Sequence, residues 1–321
     1  MKNRLSSVTA TLLLLLTAMI WGFAFAVQRS AGEAMGAVTI VCLRSGIAFL
    51  ALIPVVLLFD HLTANGRHLF GRRGGRLCID INRTEWLGGA LCGVTLGAAS
   101  LLQQLGMQYN QSSGKTAFIT ALYVALVPLF GAFLGRRTGL LVRLGVLGSV
   151  AGAFLLAFDL TGEEPLGLAF GDLLVLCCAV LFAVQILVID RFSPRCDGVR
   201  MSLVQFLTGF ILTLPFMLLW EGDTLTPAAW RAGILPVAFL GIMSSAVGYT
   251  LQIIGQKRTH PAVASVVLSL ESVFGLIGGA AFLGERLEKP NEIAGCIVLF
   301  ASVLLTELGS LARHSKKTND A

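Results

Sequence analysis

Ten long apolar runs, following one another almost without interruption, restrict the fold of this chain more than any other feature. They extend from Val8 to Val27, Val38 to Phe59 and Trp86 to Met107, then near Thr116 to Gly135, Leu140 to Phe158 and Gly167 to Val188. Four more lie near Ser202 to Trp220, Ala232 to Ile254, Ala262 to Leu283 and Glu292 to Ala312. A helix needs roughly 20 apolar residues to cross the hydrocarbon of a bilayer. With 55% hydrophobic and 13% charged residues, a chain of 321 residues has more apolar surface than one water-soluble core can hide. The runs are continuous and do not alternate, which argues against a β-barrel. The sequence therefore predicts an all-α integral membrane protein of ten transmembrane helices.

The basic residues sort by loop. With the N-terminus placed inside, eighteen lysines and arginines, from Lys2 and Arg4 to Lys316 and Lys317, fall on the cytoplasmic side. Only Arg29, Lys115, Arg231, Arg286 and Lys289 fall outside, so the positive-inside rule puts both termini in the cytoplasm. The net charge of +6 is spread over these loops and forms no patch for nucleic acid. Lys2, Arg4, a leucine run and Ala24-Phe25-Ala26 imitate a secretory signal, whose cleavage would leave nine helices; the run is long for such a signal and reads as a first transmembrane helix. Of seven cysteines, five fall inside apolar runs and Cys78 and Cys196 in cytoplasmic loops. All are read as reduced, and none has zinc-ligand spacing with histidine.

Internal repetition is the second strong signal. Phe25-Ala26-Val27-Gln28 recurs as Phe182-Ala183-Val184-Gln185, and the end of helix two, around Pro54, recurs around Pro215 in helix seven. Leu102-Gln103 with Gly106 recurs as Leu251-Gln252 with Gly255, and Phe133-Leu134-Gly135 as Phe282-Leu283-Gly284; both pairs are 149 residues apart. The chain divides into residues 1–160 and 161–321, each with five helices. Five is odd, so the second half enters the membrane inverted, an arrangement that places a substrate site near the midplane between halves that can rock. The longest connection, Asp60 to Glu85, reads as a solvated loop, with contact to lipid as a second use.

Trp21-Gly22, Arg44, the stretch from Gly106 to Phe118, Leu270-Glu271-Ser272-Val273-Phe274 and Gly284-Glu285-Arg286-Leu287 together resemble the drug/metabolite transporter superfamily, in its EamA-type permease branch. The resemblance covers nearly the whole chain. Arg136 stands where the first repeat often has glutamate, and Ser272 where the second often has proline. What the resemblance implies is a ten-helix secondary carrier of metabolites such as amino acids or their derivatives, an exporter in a bacterial inner, cytoplasmic membrane.

Gly114-Lys115-Thr116 looks like the end of a phosphate-binding loop, but Tyr109 stands where that loop needs glycine. Transport must then run on a gradient, on exchange or on the substrate's own concentration difference. Glycines four apart, such as Gly89, Gly93 and Gly97, let helices pack closely. Two charges inside apolar runs stand out, since an ionised side chain at a helix centre costs about 2.5 to 3.5 kcal/mol even on insertion scales. Glu271 is a candidate for proton coupling or for meeting a substrate amine. Arg44 is a candidate for holding a carboxylate; it could instead pair permanently with Glu271 or snorkel outward. Gln103 and Gln252, at equivalent positions in the two halves, together with Trp21, Tyr123 and Tyr249, complete the candidate substrate-binding set.

Alternating-access transport of a small metabolite is the function these features favour, possible proton coupling included, with an exchanger or a channel-like facilitative permease as the alternative. A channel would favour a continuous polar stripe. A membrane enzyme would need clustered histidines and carboxylates, and His61, His68, His260 and His314 all lie in loops or the tail. The expected partners are a small-molecule substrate and the lipid bilayer, with no nucleic acid, no cofactor and no metal; monomer or homodimer is left open.

Overall fold

The computed structural model describes residues 7–62, 69–73, 76–109, 113–135, 138–157, 169–284 and 290–319. Arg136, the Glu285-Arg286-Leu287 stretch, Asn110 to Ser112 and the N-terminal Lys2 and Arg4 lie outside the described residues. Among the described residues the secondary structure is all-helical apart from one short hairpin. The first half contains α1 (Ser7–Ala34), α2 (Ala37–Leu62), α3 (Arg83–Tyr109), α4 (Ser113–Ala121), α5 (Tyr123–Phe133) and α6 (Leu140–Ala157). The second contains α7 (Phe170–Phe192), α8 (Gly198–Phe216), α9 (Pro227–Phe239), α10 (Thr250–Gln256), α11 (Pro261–Leu268), α12 (Glu271–Leu283) and α13 (Pro290–Asn319). Among the described residues eight helical segments are long and apolar enough to cross a membrane, and two shorter apolar helices, Leu140–Leu155 and Ile293–Thr306, accompany them.

Three of the apolar runs depart within their interior from the straight helices their composition suggests, and the run from Ser202 turns π-helical at its end, over Met217–Glu221. The run starting near Thr116 is broken at Leu122, where Leu122 N–H bonds the Ile119 carbonyl (3.3 Å) and Ala125 N–H bonds that of Leu122 (3.0 Å). The run from Ala262 is broken at Ser269 and Leu270, where the Leu270 and Ser272 N–H groups bond Val267 and Ser269 at 3.3 and 3.1 Å. These are three-residue turns, tighter than the α-helical ladder. Local chemistry favours them. Thr120, Ser265 and Ser269 turn their hydroxyls back onto the carbonyls of Thr116, Ala262 and Val266, competing with backbone bonds, and Pro128 withholds a donor one turn into α5. The third run changes to a wider π-helical winding over Leu240–Tyr249, between α9 and α10.

The loop after α2 also holds more structure than a solvated connection. Phe70–Arg73 (β1) pairs antiparallel with Arg76–Ile79 (β2), Phe70 opposite Ile79, and Leu69 at its base is buried.

The main helix contacts are α6 with α13, α3 with α7 and α8, α1 with α12, and α2 with α8. Small residues set these distances. A Cβ on Gly89 would lie 2.8 Å from the Met201 carbonyl oxygen, and one on Gly22 would lie 2.8 Å from that of Glu271, so α1 and α12 touch backbone to backbone. Gly135 and Gly284, equivalent in the repeat, both close their helices with positive φ, +74° and +69°, the left-handed conformation that glycine adopts without a Cβ clash.

Candidate functional site

The helix breaks meet at the centre of the bundle. Tyr123 opens α5 just after one break and Glu271 opens α12 just after the other; the turns at Leu122 and Leu270 are within one residue of the 149-residue spacing seen in the sequence. Together with Trp21, Phe25, Gln28, Gln103, Thr120, Phe182, Ser244 and Tyr249 they line a cavity of about 20 Å³. That is space for about one water molecule.

The cavity wall is part aromatic and part amide and hydroxyl. Trp21 and Tyr249 pack with ring centres 4.4 Å apart and planes tilted by 44°, and Phe206 backs Tyr249 at 5.8 Å. Trp21 Nε1 donates to the Ser244 carbonyl at 3.0 Å, and the Thr17 hydroxyl reaches the Gly248 carbonyl at 3.3 Å; both acceptors belong to the π-helical stretch, whose altered ladder leaves carbonyls available to side chains. Gly248 is needed for this approach, because a Cβ there would stand 2.6 Å from the indole nitrogen. Gln103 Nε2 donates to the Thr120 hydroxyl at 3.1 Å.

Glu271 is 3% exposed. Apart from each other, its Oε1 and the Tyr123 hydroxyl, which face the same space, have no hydrogen-bond partner among the described residues. Orphaned buried polar atoms are rare in folded chains, and on a cavity wall they are free to bind what enters.

Arg44 is 4% exposed and sits just behind the wall. Its Nε donates to Ser245 Oγ at 2.9 Å, and its terminal nitrogens donate to Ser244 Oγ at 3.1 Å and Gln28 Oε1 at 3.4 Å. It pairs with no carboxylate among the described residues. It neither pairs with Glu271 nor snorkels outward: it is a buried cation held by neutral groups, two of which line the cavity.

Gln252 is placed differently from Gln103. It exchanges hydrogen bonds with Gln185, at 3.2 and 3.3 Å, and is not on the cavity wall.

α2 is tied at one end to α8 and at the other to the π-helical turn that follows α8, Met217–Glu221. Asp60 Oδ1 pairs with Arg200 at 2.6 Å, while Asp60 Oδ2 accepts the Leu69 N–H below the hairpin at 2.6 Å. At the opposite ends, the Glu221 carboxylate caps α2 by accepting the N–H groups of Val38 (3.2 Å) and Thr39 (2.7 Å). Asp60 and Glu221 are separated by 161 residues, as are Pro54 and Pro215.

The EamA-like transporter family model matches residues 8–158 and again residues 169–307. The chain belongs to the EamA-like transporter family. Among its relatives in this family, an uncharacterised transporter of Archaeoglobus fulgidus is 27% identical over 93% of this chain and 86% of its own length. The uncharacterised inner membrane transporter YedA of Escherichia coli K12 is 25% identical over 90% of this chain and 87% of its own. The threonine/homoserine exporter RhtA of Salmonella typhimurium is 28% identical, over 41% of this chain and 44% of its own length. A solved crystal structure superposes with a TM-score of 0.73 at 21% identity, over 96% of this chain and 99% of that one, which shows a shared fold.

Of the residues singled out by sequence, this EamA-like transporter brings Trp21, Gln103, Tyr123, Tyr249 and Glu271 together on one cavity; Arg44 stands behind them and Gln252 aside. Phe25 and Phe182, both on the wall, are the first residues of the repeated Phe-Ala-Val-Gln segment, so the repeat itself carried a signal for them. Nothing in the sequence marks Ser244, which matters because it lies in the π-helical stretch.

Proposed function

We propose that this chain is a secondary transporter that exports amino acids or closely related compounds by alternating access, exchanging them for protons at Glu271. The observation that carries this reading is the pair of unmatched groups around one cavity. Among the described residues Arg44 has no counter-charge and Glu271 has no cation and no partner beyond Tyr123, so a zwitterion would find its carboxylate and its ammonium each provided for. Charge-assisted hydrogen bonds of this kind are the strong ones in a site closed to water. Protons and the substrate ammonium would compete for the same Glu271 oxygens, and that competition is the physical basis of antiport.

The reading extends to architecture. Ten crossings form two inverted five-helix repeats, residues 1–160 and 161–321, with both termini in the cytoplasm of a cell whose inner membrane holds the protein. The two matched family segments, the paired helix breaks and the basic asymmetry support it. A cavity of about 20 Å³ does not admit an amino acid without movement. Opening on the cytoplasmic side would separate the Asp60–Arg200 junction, and opening outside would release Glu221 from α2. The RhtA relative supports export of amino acids, and YedA supports the inner membrane.

The test is counterflow in proteoliposomes. Labelled threonine, homoserine and other amino acids should exchange, whereas analogues lacking either the carboxylate or the amine should not. Equal exchange of a decarboxylated or deaminated analogue would contradict the reading.

A further inference from the structure

Away from the central cavity, a groove of about 880 Å³ runs along the outside of the bundle between α5 and α7. Phe130 and Phe133 form one wall, and Val184, Leu187, Val188 and Arg191 the other. The α7 residues follow the i, i+3, i+4, i+7 spacing of a single helix face, so three apolar side chains are succeeded by one cation in the last turn. At 1.5 Å per residue the stripe is about 10 Å long. Phe133 is 83% exposed, which water would penalise and lipid would not. Arg191 is exposed, as is Arg195 one turn further on, and neither forms an ion pair among the described residues. The groove is therefore apolar along its length and positive at one end.

We infer that this groove is a binding site for an anionic phospholipid, with one acyl chain along Val184, Leu187 and Val188 and its phosphate against Arg191. The guanidinium offers a planar fork of donors that matches phosphate oxygens. Arg191 and Arg195 belong to the eighteen basic residues that the charge asymmetry assigns to the cytoplasmic side, where the leaflet carries the anionic lipids and basic pockets between helices take anionic headgroups. Nothing in this assignment depends on what the central cavity carries.

Native mass spectrometry of the full-length protein, released from detergent after equilibration with equimolar phosphatidylglycerol and phosphatidylethanolamine, tests it. The most tightly retained lipid should be phosphatidylglycerol by several-fold. Arg191→Gln should bring the ratio close to one, and Arg191→Lys should keep most of the preference. Val184→Trp, which fills the groove, should lose retained lipid of both kinds while helical content by circular dichroism is unchanged. Equal retention of the two lipids by the unmodified protein would overturn the assignment, as would an unchanged preference in Arg191→Gln. A dimer mass that Val184→Trp abolishes would show that a second copy of the chain occupies the groove instead.

Discussion

Asp60, in the last turn of α2, and Arg200, in the first turn of α8, form an ion pair at 2.6 Å with both side chains only 5% exposed. Removing one member of such a pair leaves the other charge buried without compensation, a cost of about 3–5 kcal/mol. Arg200→Leu should therefore lower the thermal unfolding midpoint sharply. The double replacement Asp60→Leu with Arg200→Leu should recover part of the loss, short of the whole, because Asp60 also accepts the Leu69 N–H. A single variant as mild as the double would mean that the pair is solvated in the working protein.

Gly22 allows α1 to lie against α12, since a Cβ there would come within 2.7 Å of the Phe274 carbonyl carbon and 2.8 Å of the Glu271 oxygen. Both are backbone atoms and cannot rotate away. Gly22→Ala should destabilise the fold by about 1–3 kcal/mol, the usual cost of overpacking, and should shift Glu271 enough to reduce transport. Normal stability together with normal transport would show that α1 and α12 are already apart for most of the cycle.

Arg44 donates to Ser244, Ser245 and Gln28 and has no carboxylate partner among the described residues. If it holds the substrate carboxylate, Arg44→Gln removes a hydrogen bond to a charged group, about 1.5–3 kcal/mol. The KM for amino acids should rise at least tenfold. An unchanged KM would reduce Arg44 to a packing role.

Cys196, between α7 and α8, has its thiol pushed up to about 11, first by burial and then by the nearby Glu85 charge, with Lys257 pulling the other way. Since the thiolate is the reacting form, labelling of Cys196 by a maleimide should be slow at pH 7 and accelerate about tenfold per pH unit toward that value. Glu85→Gln removes an upward contribution and should speed labelling at neutral pH. Fast labelling at pH 7 in the unmodified chain would show that the α7–α8 junction opens.

The apolar runs made the membrane class legible because hydrocarbon thickness imposes a length on any helix that crosses it. Glu271 and Arg44 were legible for a related reason: a charge inside such a run demands an explanation. The repeat pointed to Gln103 and Gln252 alike, yet only Gln103 lies on the cavity wall, because equivalent positions in two diverged halves need not keep equivalent partners; Gln252 found Gln185. The breaks at Leu122 and Leu270 and the π-helical stretch were hidden, since serine, threonine and glycine within an apolar run leave its mean hydropathy high while altering the backbone ladder. The Asp60–Arg200 pair was hidden as well. Both residues sit at helix ends, where charges are expected in water, and only the three-dimensional packing buries them.

Accumulation of a labelled amino acid by proteoliposomes under an imposed pH gradient, with wild-type protein and with Glu271→Gln, tests the central claim most directly. Glutamine keeps the shape of the side chain and cannot take up a proton. The wild type should accumulate substrate against its gradient; Glu271→Gln should lose that accumulation and keep substrate exchange, which moves no net proton. Full gradient-driven accumulation by Glu271→Gln would contradict proton exchange at Glu271 and leave this carboxyl group without a part in transport.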